Sequence, residues 1–368
     1  MSDHPMPHTV QSQEVINPNA LQDIFDKICS PMLYSVTDPE QIDADAVHAA
    51  IAAGKRVLVQ FSNLGDPWPL LADLDALAAS CGPELTIRIY GYHLEVFDAT
   101  ILRALPHVAS LSIDCHDQAV NLEVLGELPR LKRLCLGVYR MAHADILQLD
   151  NLRGLEYLNL GESASNNIDL APLRHYSQLS CLVIEGHATH IDTLAGLPAL
   201  SDLSLYRMKN KVALDFVSGI ARLERLLLQL GGRESIREID APHLTQLEVI
   251  RVRGLADLGD LARFPLLRKL WLADQIKLAQ LDVSGNRLLE QLHLLTCKGL
   301  EQLSGLSELA ALRQLMVSET RLDIDALLAQ GMPASLSNIR FRTGKVKRDD
   351  EIAALLASLN YSEERLPF

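Results

Sequence analysis

Aromatic residues are scarce in this chain: only 5% of its 368 positions are Phe, Trp or Tyr, although 48% are hydrophobic. Positive charge is also short, with 34 Lys and Arg against 47 Asp and Glu, a net of -13. Proteins that coat nucleic acid lean basic, so the balance argues against that class. No apolar run approaches the roughly 18 to 20 uncharged residues that cross a bilayer. The opening stretch, MSDHPMPHTVQSQEV, lacks the basic and apolar regions of a secretory signal. Six scattered cysteines (Cys29, Cys81, Cys115, Cys135, Cys181, Cys297) form no CxxC pair. Free thiols in a reducing cytoplasm are therefore expected, with export through the polar first twenty residues left open.

Chemistry-bearing motifs are missing as well. There is no GxxxxGK[ST], GxGxxG, GxSxG or HExxH. Cys181, His187 and His190 in CLVIEGHATH come nearest to a metal cluster, but a strand-to-turn separation keeps them apart. Cys135 and Cys297 have no base within sequence reach to activate them. The expectation is a protein without catalytic residues, metal or cofactor. Half the residues are apolar and 22% are charged, which excludes global disorder.

What the chain does have is a repeat. The pattern apolar-x-x-apolar-x-apolar recurs as VASLSI (108–113), LKRLCL (131–136), LEYLNL (155–160), LSCLVI (179–184), LSDLSL (200–205) and LERLLL (223–228). It continues as LEVIRV (247–252), LRKLWL (267–272), LEQLHL (289–294), LRQLMV (312–317) and LSNIRF (336–341). The second apolar position steps by 20 to 24 residues, and Ile87 with Ile89 fits one unit further upstream. Each L-x-L core alternates with period two, as a short strand with one buried face does. Between strands the apolar step is three: Leu122, Leu125, Leu128, Leu131, and again Leu300, Leu303, Leu306, Leu309. That step suits a 3₁₀-like return segment. One unit cannot bury its Leu side alone, but stacked units make a continuous core, which accounts for the leucine and the few aromatics.

These residues resemble the leucine-rich repeat family, in its short 22–24-residue class, over about residues 85–345. The resemblance implies a curved α/β solenoid with a parallel concave β-sheet of about 12 strands, a convex side of irregular and 3₁₀ segments, and helical caps. The family usually places Asn five residues after the second Leu. Here those positions are His116, Tyr139, Ser163, His187, Met208, Gly231, Leu255, Gln275, Cys297, Thr320 and Gly344. Ser, Thr, Cys, His or Gln can supply some of the missing hydrogen bonds; Met, Leu and Gly cannot.

Three segments of one continuous domain are expected. Residues 1–84 form a flexible start and an α/β capping region, with helical stretches at 44–53 and 70–80 around the strand RVLVQF (56–61). Residues 85–345 carry the repeats, and 346–368 form a helical cap whose apolar positions are Ile352, Leu355, Leu356 and Leu359.

Strand alternation also assigns the concave face. The residues flanking each inner pair hold eight bases (Arg88, Arg133, Arg225, Arg251, Arg253, Lys269, Arg340, Arg342) against three acids (Asp114, Glu185, Asp202). From Arg225 onward this assignment contains no acid. Widening the columns by one residue adds Glu162, Asp274 and Glu319 and narrows the excess. Tyr157, Tyr206, Arg225, Arg251, Arg253, Lys269, Trp271, His293, Met316, Arg340 and Arg342 are the expected contacts of a protein partner, since Trp, Tyr, Met and Arg are enriched at interfaces. The expected function is a monomeric, cytoplasmic, non-catalytic scaffold gripping a protein on this face, as an inhibitor, immunity protein or effector adaptor. Binding of nucleic acid or another polyanion through the basic C-terminal half is the alternative.

Overall fold

A computed structural model describes residues 33–62, 68–91, 96–141, 145–164, 168–364 and 366. The opening fifteen residues and Cys29 lie outside them. The main sheet takes β1 (Leu33–Thr37), β2 (Arg56–Phe61), β3 (Leu85–Tyr90), β5 (Ser110–Val120), β6 (Arg133–Met141), β7 (Tyr157–Leu160) and β8 (Cys181–Glu185) in order. It continues through β9 (Asp202–Tyr206), β10 (Arg225–Gln229), β11 (Gln246–Ile250), β12 (Lys269–Ala273), β14 (Gln291–Leu295), β16 (Gln314–Ser318) and β17 (Asn338–Arg342). The short β4 (Phe97–Asp98) pairs with β5, and β13 (Gln280–Asp282) pairs with β15 (Gln302–Ser304) in a separate two-stranded sheet. All these pairings are parallel.

The main path has fourteen strands rather than about twelve. The additional two, β1 and β2, lack the Leu spacing of the repeats yet join in the same phase: Val36 pairs with Val59, and Val59 with Ile87. Helix α1 (Ala44–Ala52) returns the chain from β1 to β2 and α2 (Trp68–Cys81) from β2 to β3, where later units use 3₁₀ turns such as Leu122–Glu127 and Ile191–Gly196. Asp43 caps α1 by accepting the Ala46 N–H at 2.9 Å. At the far end, after the single-turn-and-a-half α3 (Ile324–Ala329), α4 (Val346–Ser358) lies beside the last strand. Only Ile352 and Leu356 of its expected apolar positions are buried; Leu355 and Leu359 are exposed.

The core Leu residues stack from unit to unit: Leu111, Leu134, Leu158, Leu182, Leu203 and Leu226 face each other in successive strand pairs. The next in line is Leu247, and not Ile250. LTQLEV (244–249) fits the repeat pattern as well as LEVIRV does, and the structure uses the former. The slip is three residues, an odd number, so it exchanges the two faces of this strand. Gln246, Glu248 and Ile250 stand on the concave side, and Val249 is fully buried in the core.

Each main-sheet strand from β8 to β16 ends in one residue of left-handed backbone: Gly186, Arg207, Leu230, Arg251, Asp274, Thr296 and Glu319, with φ between 47° and 77°. Its N–H reaches forward to a carbonyl of the next strand, as in Arg207 to Gln229 and Asp274 to Leu295, both 2.9 Å. The Asn ladder is replaced residue by residue. His187 Nε2 donates to the Gly161 carbonyl (2.9 Å) and His116 Nε2 to that of Ile89 (3.1 Å). Gln275 Nε2 donates to Val249 and Ala273, and the Cys297 thiol to Leu272 (3.5 Å). Where no donor is available the turn is filled differently. Met208 is buried, Val252 takes the place assigned to Leu255, and Gly231 (φ 78°) has no room for a Cβ beside the Met208 backbone.

Candidate functional site

In the observed register the concave columns of β3 to β17 carry six bases (Arg88, Arg133, Arg225, Lys269, Arg340, Arg342) and four acids (Asp114, Glu185, Asp202, Glu248). The net is +2, not +5. Arg251 and Arg253, expected in these columns, are not there. Arg251 is the left-handed residue after β11 and pairs with Asp274 at 2.7 Å, whereas Arg253 lies beyond it, bridged to Gly232. The basic stripe is thus interrupted, and Glu248 stands in its centre.

Much of the face is packed against itself. Near its N-terminal end Arg88 makes a two-pronged ion pair with Asp114 (2.8 and 2.9 Å) and donates to Gln60, with both charges buried. Its guanidinium carbon lies 4.3 Å from the Tyr90 ring centroid. In the middle, Cys135, Tyr157, Val183, Tyr206 and Leu227 form an apolar cluster of their own, flanked by Cys181 and Ile250. The Arg133 guanidinium covers the Tyr157 ring at 4.8 Å, and burial raises that phenol well above its ordinary pKa. Tyr157 and Tyr206, at 2% and 1% exposure, therefore pack the face rather than project from it. Neighbouring side chains about 4.8 Å apart on a sheet fill the space between them, and sequence alternation does not register this.

The C-terminal half is more open. Arg225 lies 3.6 Å from Asp202 and 3.9 Å from Glu248, and Gln246 donates to Glu248 at 2.8 Å. Burial, and secondarily Arg225, lowers the Lys269 pKa. Trp271 is half-buried and meets His293 edge-on, ring centroids 6.0 Å apart. His293 is fully buried, with Nε2 donating to Gln314 Oε1 at 2.8 Å; Met316 is 9% exposed. Arg340 is half-buried, and Arg342 pairs with Glu363. Arg225, Lys269, Trp271, Arg340 and Arg342 thus form the reachable part of the face, with the Glu248 side chain largely covered among them. Glu248 was missed because the register was misread. Its one sequence signal was the interval pair of 24 then 20 around residue 250, which becomes 21 and 23 around Leu247.

Cys181, His187 and His190 do not converge. Cys181 opens β8, His187 is bonded to the Gly161 carbonyl of the preceding unit, and His190 pairs with Asp169 at 2.7 Å. Among the described residues no group of three or more His, Cys, Asp or Glu is placed to hold a metal ion. No described helix is long and apolar enough to cross a membrane.

No family profile and no curated protein matches the chain. Solved structures do. The internalin InlF of Listeria monocytogenes is 18% identical, with 87% of this chain and 88% of that one aligned and a TM-score of 0.53. The functional domain of InlJ from the same organism (16% identical, 70% and 56% covered, TM-score 0.42) matches too. So does the structure of the Toll–Spätzle complex of Drosophila (15% identical, 84% and 46% covered, TM-score 0.49). With the internalin likeness, the parallel sheet and the Leu stacking, the fold is that of a leucine-rich-repeat solenoid.

Proposed function

We propose that this protein is a non-catalytic scaffold of the reducing cytoplasm that binds a folded protein partner on the C-terminal half of its concave face. The observation that carries this reading is the half-buried Trp271, set between Lys269 and Glu248 on a sheet whose neighbouring surfaces are closed by their own packing. Fourteen strands at ~4.8 Å spacing span roughly 60 Å, a length suited to a protein surface rather than a small molecule. An aromatic anchor ringed by charge is the composition of an interface centre. Inhibition of an enzyme or adaptor function would both use this face, by covering the partner's active site or by holding it. The polyanion reading loses the continuous stripe on which it rested, because Arg251 and Arg253 stand outside the columns and Glu248 inside them.

The test is Trp271→Ala, measured by titration against the partner that wild-type protein captures and cross-links at moderate salt. We expect a loss of at least about 1 kcal/mol in binding with an unchanged circular dichroism spectrum. Equal affinity in the two proteins sinks the assignment.

A further inference from the structure

The chain supplies one occupant of its own concave face, and that occupant is acidic. After α4, Asn360 turns the backbone with φ of 65°, and Tyr361 packs onto the core. Ser362 then bridges Asn338 in parallel: its N–H donates to Ser337 (2.9 Å), and its carbonyl accepts from Ile339 (2.9 Å). Beyond Ser362 the chain leaves the sheet edge and crosses to the concave side. The Glu363 carboxylate takes both terminal nitrogens of Arg342, at 2.8 and 3.1 Å, and the Glu364 carbonyl accepts from Gln314 Nε2 at 3.2 Å. Gln314 belongs to β16, one strand inward from the edge, so residues 363–364 overlie β17 while Ser362 extends the sheet beside it. The surface beneath is complementary in charge. The concave columns of β12, β14, β16 and β17 contain Lys269, Arg340 and Arg342 and no acid, in a chain of net charge -13. The Arg340 Nε is buried with no hydrogen-bond acceptor among the described residues.

We infer that the concave end formed by β16 and β17 recognises an extended acidic polypeptide segment, that residues 362–364 are its intramolecular occupant, and that an acidic segment of the protein partner displaces them. This rests on the protein-binding reading above and names the chemistry it selects. Three interactions define the recognition: parallel main-chain pairing along β17, a carboxylate in the Arg342 fork, and an amide donor from Gln314. The first is strand addition at a sheet edge, and the second adds a charge-assisted pair. A covalently tethered occupant acts at an effective concentration of about millimolar, so it masks the site from weak competitors.

The experiment uses the full chain as wild type, as Glu363→Ala and as Arg342→Glu. The probe is a fluorescein-labelled peptide, Asn-Tyr-Ser-Glu-Glu-Arg-Leu, the sequence of residues 360–366. Hydrogen exchange at the Ile339 amide reports the intramolecular contact, and fluorescence anisotropy reports peptide binding. In Glu363→Ala we expect faster Ile339 exchange and peptide affinity at least about fivefold above wild type, weakening as salt is raised. Arg342→Glu should bind no peptide, and neither should any protein bind a peptide with both Glu changed to Gln. Unchanged exchange in Glu363→Ala overturns the proposal. So does faster exchange without a gain in peptide affinity, or equal binding of the Gln peptide. An unaffected partner affinity in Trp271→Ala would count against the wider reading while leaving this contact standing, so the two failures are distinguishable.

Discussion

Gln275 occupies a turn position where the repeat family places Asn, and it is 1% exposed. Its Nε2 donates to the carbonyls of Val249 (3.1 Å) and Ala273 (2.8 Å), joining two successive turns. Gln275→Met keeps the length and most of the volume while deleting the donor. Neither carbonyl is left bare, since Ala273 keeps the Arg251 N–H at 3.0 Å and Val249 stays in the parallel ladder opposite Leu272. Each of the two lost hydrogen bonds is worth about 0.5–1 kcal/mol net when its acceptor keeps another partner. The expected loss is therefore about 1–2 kcal/mol. Gln275→Ala should lose more, because it adds a cavity. Gln275→Asn should lie between Met and wild type, since its shorter amide reaches one carbonyl rather than both. Urea unfolding followed by far-UV circular dichroism measures this, with midpoints compared only among variants of equal slope. If Gln275→Met lies within about 0.5 kcal/mol of wild type, the reasoning fails. The turn would then be held by main-chain bonds alone, such as Asp274 N–H to Leu295.

Three further perturbations follow from the same geometry. His116 is buried against Phe97 (5.0 Å, stacked), and burial, the largest influence, holds its pKa below the ordinary imidazole value. Its neutral form is the folded one, so its share of stability is complete above about pH 6.5 and drains away as pH falls through the depressed folded value; His116→Asn should flatten the decline of the urea midpoint between pH 7 and 5.5, and an identical decline would refute this. Asp114→Ala strands the buried Arg88 guanidinium and should cost about 3–5 kcal/mol, much of it recovered in the Arg88→Met, Asp114→Leu double variant; a cycle of four urea titrations decides. Gly231→Ala forces a Cβ against the Met208 backbone at φ 78° and should lower stability by about 2 kcal/mol or more, which thermal unfolding of the variant tests.

The sequence made the solenoid legible because its signal is redundant. A buried Leu such as Leu203 recurs in the same phase in every unit, and one misaligned unit among many leaves the fold unchanged. The face assignment has no such redundancy. Around Leu247 two overlapping apolar triplets satisfy the same pattern three residues apart, and the later one puts Arg251 and Arg253 on the sheet and Glu248 off it, whereas the chain folds on the earlier. Burial on the concave side was hidden for another reason. Tyr157 and Tyr206 alternate outward as expected, but the space around them is filled by residues two dozen positions away, Arg133 and Leu227 among them. The ladder substitutes could be read in half: His, Gln and Cys announced their donors, whereas the tight backbone approach at Gly231 is a property of the fold. Residues 362–364 carry no motif, and nothing in their sequence indicates that they return to a strand more than twenty residues earlier.

The left-handed residue closing each main-sheet strand from β8 to β16 gives the solenoid a direction in time as well as in space. Every one of these residues offers its N–H to a carbonyl of the next strand of the main sheet, which lies further along the chain. A ribosome delivers the chain N-terminus first. The newest of these units therefore emerges with that donor bonded only to water, and the native bond forms when its successor arrives. Each arrival settles the bond left by the one before and opens another, until Glu319 donates to Arg342 and Ser362 covers the edge beyond. A pause in translation between units would leave such a half-finished rim open to water.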